Sequence, residues 1–306
     1  MTEPASAAPH TEPEIDPRQA LAALGYPEVT EPQRVKGGWE TLLWRFATPD
    51  GGEHSLRVHH LPERDEFARR ERLALQACEK GGLPAPRLQA AGDFEGLPAM
   101  VLSWCPGKPL LSYVEQRPWA IWRLGRMFGR AQALMHALTP PPEFLATAPD
   151  DWLSRIDEEY ADLAAHARTL GLSTSSLIHM DFHPLNILSD GATVTGVIDW
   201  PRSGAGDPRA DLARTEITLL AAPIPPGPLA AFLNLARRLI LRAWRSGYRQ
   251  TAGSMPDYRP FRAWAGATLL AEIIPIIDQP NVWGTREDIE KFQRLVEVWA
   301  REAGVR

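Results

Sequence analysis

Three side chains in the stretch 177–200, LIHMDFHPLNILSDGATVTGVIDW, could serve one reaction: Asp181, Asn186 and Asp199. The apolar pair Leu177-Ile178 breaks at His179, Asp181 follows, and Asn186 comes five residues after it. A short strand over 186–188, a turn at Asp190-Gly191 and a second strand over 194–198 then deliver Asp199, because Asp-Gly between β-branched runs is a hairpin signal. That hairpin predicts an acid on a loop, an amide at a strand start and an acid at a strand end around one mouth. The first acid could orient and deprotonate a hydroxyl, while the amide and second carboxylate are hard oxygen ligands of the kind that hold Mg2+ against phosphates. Other readings use the same residues. Asp and Asn beside a Gly turn are ordinary turn formers, and His179 by itself fits a packed, hydrogen-bonded histidine. His179, Asp181 and His183 also alternate, as ligands of a divalent metal in a hydrolase could.

The order of these residues carries a resemblance. The His-x-Asp-x-x-x-x-Asn of 179–186 resembles the protein-kinase catalytic loop, and Asp199 stands in Asp-Trp-Pro where kinases have Asp-Phe-Gly. The block more closely resembles the aminoglycoside phosphotransferase/choline kinase family, with a pattern near His-Gly-Asp-x-His-x-x-Asn followed by Ile-Asp-Trp. GAGDPRADL over 204–212 resembles the Gly-Asp-Pro-x-x-Asp-Leu that follows in that family. The likeness runs from about 34 to 215 and is thin beyond.

The resemblance implies an α+β, protein-kinase-like two-lobed fold: an N-terminal antiparallel sheet with one helix, a hinge, and a larger, mainly helical C-terminal lobe. It implies transfer of the γ-phosphoryl group of ATP or GTP to a hydroxyl of a small molecule, an aminoglycoside or other amine-bearing alcohol among the options, with Mg2+ as cofactor. Asp181 would then be the base, and Asn186 and Asp199 the metal ligands. Gly37-Gly38 would cover the phosphates, and the backbone of Ser103, Trp104 and Cys105 would meet the purine edge. Arg57 falls where kinases usually have Lys. Arginine keeps its charge and grips phosphate oxygens bidentately, so the role survives chemically. The substitution also leaves room for a nucleotide-binding protein of the same fold with little catalysis.

The flanking elements must hold these groups in place. Asp16-Pro17 to Leu24 reads as a short helix with Pro at its first position. Residues 33 to 60 alternate around Gly37-Gly38 and Gly51-Gly52 as a hairpin plus a third strand. Over 66–79, Phe67, Ala74, Leu75 and Cys78 share one helical face with Glu71 in its middle. A carboxylate on a core-facing stripe needs a partner, and Arg57 is the natural one. Strand 99–102 leads into the hinge. Helices are expected over 119–138, where His136 reads as structural, and over 150–170, with Asp150 or Asp151 as cap. Asp207-Pro208 starts another helix, on which the resemblance implies that Asp211 fixes the loop backbone near the site. The rest is helical with a proline break at 223–228. There Trp244, Trp264, Trp283 and Trp299 read as core anchors, and Glu216, Glu272 and Asp278 as candidate acids for a cationic acceptor.

Composition bounds the remainder. At 306 residues and 44% hydrophobic content the chain can bury a real core, divided here as a disordered tail (1–14), a nucleotide-binding lobe (15–103) and a catalytic and substrate lobe (104–306). A net charge of -5 with no basic stripe argues against nucleic acid or an anionic membrane as partner. Cys78 and Cys105 make no metal or disulfide pattern and read as reduced cytoplasmic thiols. The acidic, proline-broken start lacks the features of a signal peptide, and no apolar run is long enough to span a membrane.

Overall fold

Asp16 starts the first helix as its sequence suggests. Its carboxylate accepts the backbone N–H of Arg18 at 2.8 Å, Pro17 occupies the first turn, and α1 runs Pro17–Ala23. The computed structural model describes residues 12–35, 41–224, 227–278 and 285–305. Of the tail expected over 1–14, residues 1–11 lie outside these, and Glu12 is placed 3.1 Å from Arg34 as an ion pair. Gly37, Gly38 and Trp283 also lie outside the described residues.

Strands β1 (Gln33–Arg34), β2 (Thr41–Ala47) and β3 (Glu53–His59) are followed by α2 (Arg64–Gly81), β4 (Leu88–Phe94) and β5 (Leu97–Ser103). The five strands form one antiparallel sheet in the order β1-β2-β3-β5-β4. Strand side chains alternate between faces. Leu42, Trp44, Phe46, Leu56, Val58, Ala99 and Val101 bury one face with Ala20 and Leu21 of α1. Arg57 lies between Leu56 and Val58 and so takes the other face, the one that meets α2. Helix α2 ends at Gly82, whose φ of 71° is the left-handed cap conformation open to glycine.

After the hinge come β6 (Lys108–Pro109), α3 (Leu110–Gln116), α4 (Ile121–His136), α5 (Pro142–Leu145), α6 (Asp150–Leu153) and α7 (Ala161–Arg168). The single helix expected over 150–170 is therefore broken. Neither Asp150 nor Asp151 caps it: Pro149 holds the cap position without a side-chain bond, Asp150 pairs with Arg168, and Asp151 turns to Arg70 of α2. Tertiary ion pairing has drawn these acids away from a local capping role.

Residues 176–206 supply β7 (Ser176–Ile178), β8 (Ile187–Ser189), β9 (Val194–Val197) and β10 (Gly204–Gly206). Strands β8 and β9 form the expected hairpin, extended by β6, whereas β7 pairs with β10. Asp190 holds the turn by accepting the N–H groups of Ala192 and Thr193 at 2.7 Å. Helices α8 (Pro208–Ala221), α9 (Ala230–Ala252), α10 (Arg262–Ile273) and α11 (Arg286–Glu302) complete the chain. Trp244, Trp264 and Trp299 are buried in a second, larger apolar cluster that also takes in Met100, Leu102 and the inner face of α2. Among the described residues no helix is long and apolar enough to cross a membrane.

Candidate active site

Asp181 follows a distorted backbone. Met180, where the resembling family has Gly, has φ 65°, a left-handed conformation uncommon for such a residue. Helix α8 holds it there. Asp211, buried on its first turns, accepts the N–H groups of His179 at 3.0 Å and Met180 at 2.6 Å, and Arg214, one turn later, donates Nε to the Met180 carbonyl at 3.1 Å. Asp211 is itself held by Gln132, whose Nε2 donates to it at 2.8 Å, and by His136 Nε2 at 2.9 Å, both from α4. Burial opposes ionisation of Asp211, but His136, Gln132 and the Met180 N–H outweigh it and keep its pKa below the ordinary carboxylate value. His136 is thus structural, as read from the sequence.

Asp181 is joined directly to Asn186, whose Nδ2 donates to the Asp181 carbonyl at 3.0 Å and to Oδ2 at 3.1 Å. This turns the amide oxygen away from Asp181. His183 Nε2 lies 3.4 Å from the same carboxylate oxygen. Burial works against the charged form of Asp181, yet His183, with Arg202 and Arg214 behind it, holds the carboxyl far below its usual range. Burial likewise opposes the His183 imidazolium, and the Asp181 carboxylate more than offsets it, so the His183 pKa is raised.

The β8–β9 pairing brings Asp199 to the same mouth. The Ile198 N–H donates to the Asn186 carbonyl at 3.0 Å, and Asp199 follows at φ 69°, its side chain 37% exposed. Arg57 reaches across from β3: its Nη1 is 2.7 Å from Glu71 Oε1 and 3.5 Å from Asp199 Oδ1. The expected partner on α2 is therefore in place. His59, two residues along β3 and on the same face, puts Nε2 3.1 Å from Glu71 Oε2. Burial raises the Glu71 pKa, but Arg57 and His59 together bring it below the ordinary value. The spacing of Arg57 and His59 on one strand face could have identified His59. Arg214 could likewise have been found from its position three residues after Asp211.

The hydrolase ligand set is not assembled. His179 Nε2 donates to the Ile198 carbonyl at 3.0 Å, and Nδ1 accepts the Asp181 N–H at 3.3 Å, so both nitrogens are committed. Burial lowers the His179 pKa, consistent with a neutral ring. Among the described residues no group of three or more His, Cys, Asp or Glu side chains is arranged to hold a metal ion. The Asn186 amide oxygen and the half-exposed Asp199 carboxylate are an all-oxygen pair, a donor type that fits Mg2+ rather than zinc.

The hinge residues make contacts within and beside the sheet. The Arg87 N–H donates to Ser103 Oγ at 2.8 Å, the Trp104 N–H donates to the Glu53 carbonyl at 2.9 Å, and the Arg45 guanidinium stacks 4.7 Å from the Trp104 ring. Cys105 packs against Gly196, and burial pushes its thiol up to about 11. A cavity of about 370 Å³ borders these three residues and the α2–β4 link, but Arg57, Asp181, Asn186 and Asp199 do not line it.

The acids expected to greet a cationic acceptor are all neutralised. Glu216, 1% exposed at its side chain, is bound by Arg245, Arg262 and Tyr258. Glu272 bridges Arg202 and Arg214 at 2.7 Å each, and Asp278 pairs with Arg286. None of the three offers an unpaired carboxylate to an amine.

The profile of the phosphotransferase enzyme family, APH, matches residues 31–264. The chain belongs to this family. No curated protein matches this phosphotransferase significantly in sequence. Its fold is shared with an amicoumacin kinase, solved with AMP-PNP, Ca2+ and Ami, at TM-score 0.65 and 14% identity, with 94% of each chain covered. It is also shared with an ethanolamine kinase from Plasmodium vivax, at TM-score 0.55 and 10% identity, with 88% of this chain and 82% of the other covered. The phosphotransferase thus has the α+β, protein-kinase-like two-lobed fold of small-molecule kinases.

Proposed function

We propose that this phosphotransferase moves the γ-phosphoryl group of ATP, or of GTP, to a hydroxyl of a small molecule, between a nucleotide lobe over 15–103 and a catalytic lobe over 104–306. The observation that carries the reading is the convergence of Asp181, hydrogen-bonded to Asn186, with Asp199 and the Arg57–Glu71 pair at one mouth. Asp181, ionised and fixed by Asn186, accepts a hydrogen bond from the acceptor hydroxyl and takes its proton as the new P–O bond forms. Arg57, held by Glu71, presents guanidinium N–H groups to phosphate oxygens. Asn186 and Asp199 would hold Mg2+, which when bound neutralises phosphate charge. His179 and Met180 keep the Asp181 backbone fixed through Asp211 and Arg214. The solved amicoumacin complex with a nucleotide analogue and a divalent cation supports ATP and a metal as the partners. The paired state of Glu216, Glu272 and Asp278 removes their support for an amine-bearing acceptor, so the acceptor is defined here by its hydroxyl alone.

The test is ATP consumption across a panel of hydroxylated compounds, comparing the parent protein with Asp181→Asn. Loss of a positioned base lowers turnover by about 10²–10⁴-fold, while nucleotide binding persists. An Asp181→Asn protein that turns over at the parent rate removes Asp181 from the mechanism.

A further inference from the structure

A groove on the described surface has none of Arg57, Asp181, Asn186 or Asp199 in its lining. It holds about 550 Å³ and is lined by Trp122, Arg123, Arg126, Met127 and Arg130 of α4 and by Gly247, Gln250 and Thr251 of α9. The two helices come unusually close here. A Cβ on Gly247 would fall 2.1 Å from the Arg126 carbonyl, and one on Gly129 would fall 2.0 Å from the Trp244 carbonyl, so glycine is required at both. Close packing sinks the groove floor and brings the Arg126 guanidinium against the α9 wall, where it donates to Gln250.

Its charge is unbalanced. Arg123, Arg126 and Arg130 stand three and then four residues apart, which places them on one helix face. Several arginines of this protein pair with acids, as Arg57, Arg70 and Arg214 do, yet among the described residues no carboxylate pairs with any of these three. Arg123 donates to the Gly191 carbonyl at 2.8 Å, and Arg126 Nε is buried with no hydrogen-bond partner. Like charges at these spacings repel, and a buried charged donor without an acceptor is costly. An anion in the groove would relieve both. Trp122, 46% exposed, adds an apolar wall beside the charges.

We propose that the α4–α9 groove is a binding site for a small polyanion, a phosphorylated compound or polyphosphate with at least two anionic groups, separate from the phosphoryl-transfer mouth. Guanidinium forks recognise phosphate oxygens bidentately, and the volume suits a small ligand. A single strand of nucleic acid would share the phosphate chemistry but would extend beyond these eight residues.

The probe is tripolyphosphate, titrated calorimetrically into the full chain in Mg2+-free buffer at fixed ionic strength. Wild type should bind it. Arg126→Gln/Arg130→Gln should bind at least tenfold more weakly with a melting temperature no lower than the parent's. Arg238→Gln/Arg242→Gln, which removes the same charge from exposed positions of α9, should bind as wild type does. Absence of binding, equal binding by the Arg126/Arg130 variant, or equal weakening by the Arg238/Arg242 variant would each overturn the site. A twenty-nucleotide single strand that binds more tightly than tripolyphosphate, with the same dependence on Arg126 and Arg130, would overturn the small-ligand assignment. None of these outcomes depends on whether Asp181 is a base.

Discussion

At the scale of residues, the pair on which the proposed phosphate contact rests is Arg57 with Glu71. Both are nearly buried, at 10% and 2% side-chain exposure, and they lie 2.7 Å apart. Removing one member of a buried, hydrogen-bonded ion pair leaves the other uncompensated and costs about 3–5 kcal/mol. Glu71→Ala is therefore expected to lower the midpoint of urea unfolding and to weaken nucleotide affinity together. A variant with parent affinity would show that Glu71 does not position Arg57. The pair was legible in the sequence because a lone carboxylate on an apolar helix stripe demands a cation. His59 was not picked out, although its place two residues after Arg57 put it on the same sheet face. Residues 36–40 lie outside the described residues, so the Gly37-Gly38 expectation stands as it was read from sequence.

At the scale of elements, α8 governs the loop that carries Asp181. Its Asp211 and Arg214 grip the two sides of the Met180 peptide, and α4 anchors Asp211 through Gln132 and His136. Because the Asp211 pKa is lowered in the folded state, its contribution is fully present above the unfolded carboxylate pKa of about 4 and is lost as pH falls through the folded value. Asp211→Asn should accordingly be less stable than the parent at pH 7, with the gap narrowing below about pH 4. Melting temperatures across pH 3–7 would read this, and a constant gap would contradict it. The α8 start was legible from Asp207-Pro208, and the Asp211 role came with the family resemblance. The break of the 150–170 helix was not legible. Asp151, within its first segment, turns to Arg70, a residue 81 positions away, and local periodicity carries no information on such a partner.

At the scale of the whole molecule, the sheet face bearing Arg57 and the hairpin bearing Asp199 must be brought together for the mouth to exist. One apolar cluster runs from the inner face of α2 through Met100 and Leu102 into the helical lobe, and this continuity seats one lobe on the other. The chain's net charge of -5 hid a local basic groove, because the arginines of α4 are spread through an otherwise ordinary amphipathic helix and the close approach of α9 gathers Arg123, Arg126 and Arg130 around one groove. The pairing of Glu216 and Glu272 was hidden because their guanidinium partners come from distant segments.

On the proposed function, Asp199, with Asn186, makes nucleotide binding depend on a divalent cation at this mouth. The most direct measurement is the melting temperature of the parent and of Asp199→Ala with a non-hydrolysable ATP analogue, with and without Mg2+. At a ligand concentration near 100 times Kd, binding stabilises the folded state by about 2.7 kcal/mol, a rise of several degrees for a chain of this size. The parent should show that rise only with Mg2+, and Asp199→Ala should lose it. An equal rise in both proteins, or none in the parent with either ATP or GTP analogues, would contradict the assignment.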